Sequence, residues 1–143
     1  VNVFFDASAL VPLVSARDQW HFTVRRHLTL LSQASRFTMV TSSWTLYEAL
    51  TILKRAGHHR VVELHRFALR TIEVVPVDGV VEAEAVRRFV GWADKTASVV
   101  DHANLLTALG AGCEAILTFD SDFLAIARGT GIRVLGAGPV SRR

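Results

Sequence analysis

Cysteine, lysine and long apolar runs are what this chain has least of, and each shortage excludes something. A single cysteine, Cys113, rules out an internal disulfide and any multi-cysteine zinc site. The six histidines (His21, His27, His58, His59, His65 and His102) include no His-x-x-x-His pair of the kind that grips a metal from one helix face. No apolar run approaches the length of a membrane span. Val1 to Ala16 is apolar and ends in small residues, as a secretory leader does. It lacks a basic start and is interrupted by Asp6, so it reads as a buried strand followed by a short helix. A cytoplasmic protein without membrane association is expected. Lysine occurs only as Lys54 and Lys95, which leaves arginine to carry the positive charge. Its planar guanidinium suits two-point contact with phosphate.

What is present describes one well-filled domain. The 143 residues suit a single unit, 1–143, with 136–143 read as a flexible tail. Half the residues are hydrophobic and 20% are charged, with the charges dispersed, which excludes a disordered chain. The formal net charge is +3 and the sequence pI about 9.7, a mild basic bias that tolerates nucleic acid without diagnosing it.

Apolar strand-like runs alternate with helical periodicity, which favours an α/β sheet with parallel strands. Strands are expected at Val1–Phe5, Phe37–Thr41, Ile72–Val77, Ala115–Phe119 and Ile132–Leu135. Helices are expected from Ala9 with Ser8 as cap, over 17–35, from Ser43 to Ala56 before Gly57, over 59–70 and 80–93, from Ser98 to Leu109, and over 121–128. Pro12 should bend or shorten the first of these.

Four acids sit at the ends of apolar stretches far apart in the chain: Asp6, Glu48, Asp101 and Asp120. In an open parallel sheet, ligands bind beyond the carboxyl ends of the strands where the strand order reverses. Asp6 and Asp120 follow strands directly, and Asp101 lies in the first turn of a helix that starts from the same rim. Glu48 falls beside Trp44, Leu50 and Ile52, near the expected core-facing side of its helix, an uncommon place for a carboxylate unless something pairs with it. Two carboxylates ~5 Å apart repel by about 3 kcal/mol at an effective dielectric near 20. Several such pairs point to a divalent cation among them and to metal-assisted chemistry on phosphates.

The fragments Phe5-Asp6-Ala7-Ser8-Ala9-Leu10, Asp101-His102-Ala103-Asn104 and Thr118-Phe119-Asp120-Ser121-Asp122-Phe123, with Glu48 between the first two, carry a resemblance. In that order they resemble the PIN-domain ribonucleases, and among them the VapC-type toxins of toxin–antitoxin pairs, over essentially the whole chain. The resemblance implies a three-layer α/β/α domain with a central, mainly parallel sheet of about five strands. It also implies an endoribonuclease dependent on Mg²⁺, with Mn²⁺ as the alternative, that leaves a 5′-phosphate and a 3′-hydroxyl. Asp6, Asp101 and Asp120 would hold the metal, Glu48 would complete the catalytic ring, and Ser8, Thr118 and Asp122 would assist. The implied partners are an RNA substrate, a cognate VapB-type antitoxin and a second copy of the chain. His102 departs from the small or apolar residue common after the third acid, and should alter local hydrogen bonding without abolishing metal binding.

Other readings compete residue by residue. Asp6, Asp101 and Asp120 are each good helix-start residues on their own, and Glu48 could pair with an arginine. Lys54, Arg55 and Arg60 in the Lys54–Arg60 stretch could guide an RNA backbone or simply form a solvated turn. Trp20, Trp44 and Trp92 read as core residues, Trp20 and Trp44 also as dimer-surface candidates. A non-toxin RNA-processing nuclease of the same family, or an inactive RNA- or protein-binding α/β module, would share much of this pattern. An aspartate-nucleophile phosphatase wants a second Asp where Ser8 stands and a lysine after a late strand, and the chain has neither.

Overall fold

The computed structural model describes residues 1–93 and 96–137. Five strands form one sheet: β1 (Asn2–Phe5), β2 (Thr38–Ser42), β3 (Ile72–Val75), β4 (Cys113–Leu117) and β5 (Arg133–Leu135). Their order is β3-β2-β1-β4-β5, and every neighbouring pair is parallel. The helices are α1 (Ala7–Val14), α2 (His21–Ala34), α3 (Ser43–Leu53), α4 (His58–Thr71), α5 (Gly79–Gly91), α6 (Val99–Gly110) and α7 (Phe123–Ala127). None is long and apolar enough to cross a membrane.

Alternation within the central strands sorts side chains into two cores. Val3 and Phe5 of β1, Met39 of β2 and Ala115 and Leu117 of β4 face the helices α1 to α4. Phe4, Val40 and Ile116 face α6 and α7 on the other side. Strands buried on both faces are continuous apolar runs, and that is why these short segments carry no polar alternation. Three layers result, as the pattern of elements implies.

The chain leaves β1 for β2 and β3 on one side, then crosses to β4 and β5 on the other. The reversal opens a crevice between the carboxyl ends of β1 and β4, where ligands bind in such sheets. Asp6 N–H still bonds to Leu117 O at 3.1 Å, so the two strand ends are held together where the crevice begins.

Most expected elements are present, with informative differences at their ends. α1 begins at Ala7, and Asp6 rather than Ser8 occupies the cap position. Ser8 is displaced from that role because its hydroxyl is turned to the Asp6 carboxylate. α1 runs through Pro12 but is only eight residues long. The helix expected from residue 17 starts at His21, because Asp18 Oδ1 accepts from Trp20 N–H at 2.8 Å and closes a turn there. α3 ends at Leu53, and a single 3₁₀ turn, Lys54–Ala56, precedes Gly57, whose φ of 127° only glycine adopts readily. β4 starts and ends two residues earlier than expected; Thr118 and Phe119 leave the ladder to serve the crevice.

The tail read from Gly136 onward lies mostly outside the described residues. Of its two described residues, Ala137 is packed, at 5% exposed, and Gly136 is exposed. Gly136 has φ 89°, and a Cβ there would stand 2.5 Å from Thr118 O. Gly136→Ala is therefore expected to cost at least about 1–2 kcal/mol from the left-handed backbone alone, and to displace Thr118 as well. Urea unfolding of parent and variant measures this; equal midpoints would contradict it.

Candidate active site

Asp6 is 7% exposed and has three side-chain donors. Thr118 Oγ1 and Ser8 Oγ donate to its Oδ2 at 2.9 and 3.1 Å, and Asn104 Nδ2 donates to its Oδ1 at 3.4 Å. Although in the cap position of α1, the carboxylate makes no capping hydrogen bond. It is aimed into the crevice instead. The same hydroxyls turn back to the chain: Ser8 Oγ accepts from Phe119 N–H at 3.0 Å and Thr118 Oγ1 from Asp120 N–H at 3.0 Å. Asp120 Oδ1 in turn accepts from Asp122 N–H at 2.9 Å. One relay thus links the acid after β1 to the acids after β4.

Asp101 is fixed from its own helix. Ser98 and Asp101 form a reciprocal capping box: Ser98 N–H donates to Asp101 Oδ2 at 2.9 Å, and Asp101 N–H to Ser98 Oγ at 3.1 Å. One turn further, Asn104 is fully buried, and its Oδ1 accepts from Ser42 Oγ at 2.9 Å and Thr45 Oγ1 at 2.7 Å. Its amide NH₂ is left to point at Asp6. Ser42 also accepts from Thr45 N–H and caps α3, the helix that carries Glu48. The four elements are therefore braced by one polar network.

Asp6, Glu48, Asp101 and Asp120 all line one open cleft of about 570 Å³, together with Asp18, Asp122 and Ser98. Carboxylate oxygens of Asp101, Asp120 and Asp122 lie within 4.8 Å of one another. Burial pushes the Asp101 carboxyl up to about 6, and the negative charges of Asp6 and Asp120 add to the effect against the opposing hydrogen bonds of Ser98. Burial also raises Asp6, more than its hydrogen bonds from Thr118 and Ser8 lower it, with Asp120 contributing. Partial burial and then Asp6 raise Glu48. Charges that resist ionisation beside one another are what a bound cation relieves. The cleft is lined by oxygen donors with no thiol or imidazole among its described residues, a set that fits a hard divalent ion such as Mg²⁺ or Mn²⁺.

Several expected placements differ. Glu48 does not face the core; it is exposed at the cleft wall, because the buried stripe of α3 is Thr45, Leu46, Ala49 and Leu53. Asp122 is part of the close carboxylate trio, beyond the auxiliary role that its spacing implies. Lys54 and Arg55 stand on the 3₁₀ turn outside the cleft lining, and Arg60 pairs with Glu63 at 2.9 Å. His102 is fully buried with neither ring nitrogen partnered, edge-on to Trp92 with ring centroids 5.6 Å apart. The expected change in local hydrogen bonding is therefore not seen: the ring makes aromatic contacts with Phe89 and Trp92 in place of hydrogen bonds.

Asn104 and Asp18 have no role in the sequence reading. Asn104 stands three residues after Asp101, on the same helix face, and that spacing is the signal that could have found it. Asp18 has no such signal. Its approach depends on Trp20, which stacks flat on Phe119 with centroids 4.6 Å apart and draws the α1–α2 turn to the acidic loop.

Fold and site together define a class: a parallel-sheet domain with an acidic, cation-ready cleft at its topological switch point. The PIN domain family model matches residues 3–129, and the chain belongs to the PIN domain family. Among solved structures it is similar to the Mycobacterium tuberculosis toxin VapC20, described as cleaving the sarcin–ricin loop. The two are 27% identical, with a TM-score of 0.74 over 87% of this chain and 94% of that one. VapBC2 from Rickettsia felis, solved bound to a promoter DNA fragment, is 12% identical with a TM-score of 0.66 over 94% and 97%. A toxin–antitoxin complex from Klebsiella pneumoniae is 19% identical with a TM-score of 0.64 over 95% and 98%. These last two share the fold. No curated protein sequence matches the chain significantly.

The raised carboxyls give a signed pH dependence. A folded-state value above the unfolded one means that Asp101 stabilises the fold fully below about pH 4, and that this contribution fades as pH rises through about 6. In EDTA, the stability difference between parent and Asp101→Asn should change by about 2 kcal/mol between pH 4 and pH 7. A pH-independent difference in denaturant unfolding would refute the shared acidic cleft.

Proposed function

We propose that this protein is a Mg²⁺-dependent endoribonuclease, the toxin of a toxin–antitoxin pair, held in check by a VapB-type antitoxin. The observation that carries the reading is the convergence of Asp6, Glu48, Asp101, Asp120 and Asp122 on one cleft at the carboxyl edge of the sheet. Family membership and the likeness to VapC20 support the nuclease reading. The toxin–antitoxin complexes among the structural neighbours support the antitoxin; a second copy of the chain is part of the proposal on the family resemblance alone.

Asp6, Asp101 and Asp120, with Asp122 beside them, are the residues that would hold the cation. A cation held there would offset part of the cleft's negative charge and would polarise the scissile phosphate. The chain's own contribution is to aim oxygens. Thr118, Ser8 and Asn104 fix both oxygens of Asp6, and the capping box fixes Asp101. Glu48, on the cleft wall with a raised proton affinity, is suited to take the proton from the attacking water. Attack in line at phosphorus expels the 3′-oxygen and leaves a 5′-phosphate and a 3′-hydroxyl.

Asp6→Asn and Asp101→Asn should each keep the far-UV circular dichroism of the parent. Each should lose Mg²⁺ binding by calorimetry and lower kcat/KM on RNA at least about 100-fold, or about 2.7 kcal/mol of transition-state stabilisation. Unchanged cleavage in both variants would reject the assignment. Mg²⁺ should raise the Tm of the parent and not of the variants, because only a competent site couples binding to stability. Growth arrest on expression, relieved by a co-expressed small neighbouring frame, separates a toxin from a housekeeping nuclease.

A further inference from the structure

An acidic cleft repels the polyanion it is to cut, and a single bound cation neutralises only part of it. Affinity for RNA must come from elsewhere on the surface. α4 supplies a candidate that the cleft does not use. His59, Glu63, Arg66 and Arg70 recur at spacings of four, three and four, so they share one helix face. That face forms a shallow hollow of about 510 Å³ in which His59, Arg66 and Arg70 line the wall with one acid, Glu63. Glu63 is already paired with Arg60, and among the described residues no carboxylate lies within salt-bridge distance of Arg66 or Arg70. Both arginines are exposed.

A second hollow of about 170 Å³ adjoins it, sharing His59 and adding Arg60 and Arg17. Arg17 precedes Asp18, which lines the acidic cleft. The α1–α2 turn therefore lies between the cleft and this part of α4, and Arg17 stands on it. Arg60 is about 100° round the helix from the Arg66–Arg70 face and is held by Glu63, so Arg17, Arg66 and Arg70 carry the available charge. From Arg66 to Arg70 the helix rises about 6 Å, close to the spacing of neighbouring phosphates in an extended strand. An acidic protein segment would also be attracted to these charges. Adjacency to the cleft favours the strand that the cleft cuts.

Resting on the nuclease reading above, we infer that Arg17 and the Arg66–Arg70 ridge of α4 form an RNA exosite that holds the backbone of a single strand whose scissile phosphate lies in the cleft. The contacts are to phosphate, so the exosite contributes affinity and salt dependence without base specificity.

The test is binding of a fluorescent, unpaired 20-nucleotide RNA, read by anisotropy, to the parent and to an Arg66→Gln/Arg70→Gln double variant. Both positions are exposed, and matching thermal unfolding confirms that the variant is folded. The double variant should bind about tenfold more weakly at ~0.1 M salt. The slope of log Kd against log salt should fall by about 1.4, or about 0.7 per lost phosphate contact. With Mg²⁺, kcat on saturating RNA and hydrolysis of a small p-nitrophenyl phosphodiester, which fills only the cleft, should stay at parental levels. Equal affinity and equal salt slope in parent and variant would overturn the exosite even if both cleave RNA. Parental RNA affinity in the double variant, together with loss of the poly-glutamate binding that the parent shows, would also overturn it and assign the ridge to an acidic protein partner. RNA binding that weakens as expected while the parent cleaves nothing with Mg²⁺ or Mn²⁺ would keep the exosite and sink the nuclease reading instead.

Discussion

The rest of this structure depends on holding mutually repelling carboxylates at one edge of a sheet. Burial raises the proton affinity of Asp6 and Asp101, and their neighbours' charges raise it further. Hydrogen bonds offset part of that cost and set direction at the same time. The hydroxyls of Ser8 and Thr118 donate to Asp6 and accept from the backbone of the acidic loop. Removing either hydroxyl would loosen two segments at once, which is how short polar side chains couple distant parts of a site.

The two-core architecture makes this possible. Because β1 is apolar on both faces, its Val3, Phe4 and Phe5 are locked between helix layers, and Asp6 can project only beyond the strand end. Asn104 extends the same logic to α6, with Ser42 and Thr45 consuming its carbonyl so that its amide faces Asp6. Rigid elements thus supply positions, and hydroxyl and amide groups supply orientation.

Much of this was legible in the sequence for a physical reason: a parallel sheet buried on both sides needs apolar runs, and such runs stand out. The strand–acid junction at Asp6 followed from that pattern, as did an acidic turn after β4, although that strand ends at Leu117 and Asp120 comes three residues later. Ser98 as a cap and Asp101 in the first turn followed from local helix chemistry, and their reciprocal bonding appears only in the structure. What was not legible depends on tertiary packing. Glu48 looked core-facing because its sequence neighbours are apolar, yet the buried stripe of α3 falls on Thr45, Leu46, Ala49 and Leu53. The flat stack of Trp20 on Phe119, which brings Asp18 to the cleft, joins side chains about a hundred residues apart and leaves no local trace. The basic face of α4 was half visible: the Lys54–Arg60 cluster drew attention, while the ridge at Arg66 and Arg70 needed the helix to be placed.

The pairing of the first strand with the fourth has a temporal side. Asp6 is made before Thr118, which orients it and lies 112 residues later. Domains assemble as units while synthesis proceeds from the amino end, so a truncated or half-made chain carries the first carboxylate without the loop that completes its surroundings. The acidic cleft is thus the last part of the domain to be completed, since its β4 side cannot form before residue 118 has been made.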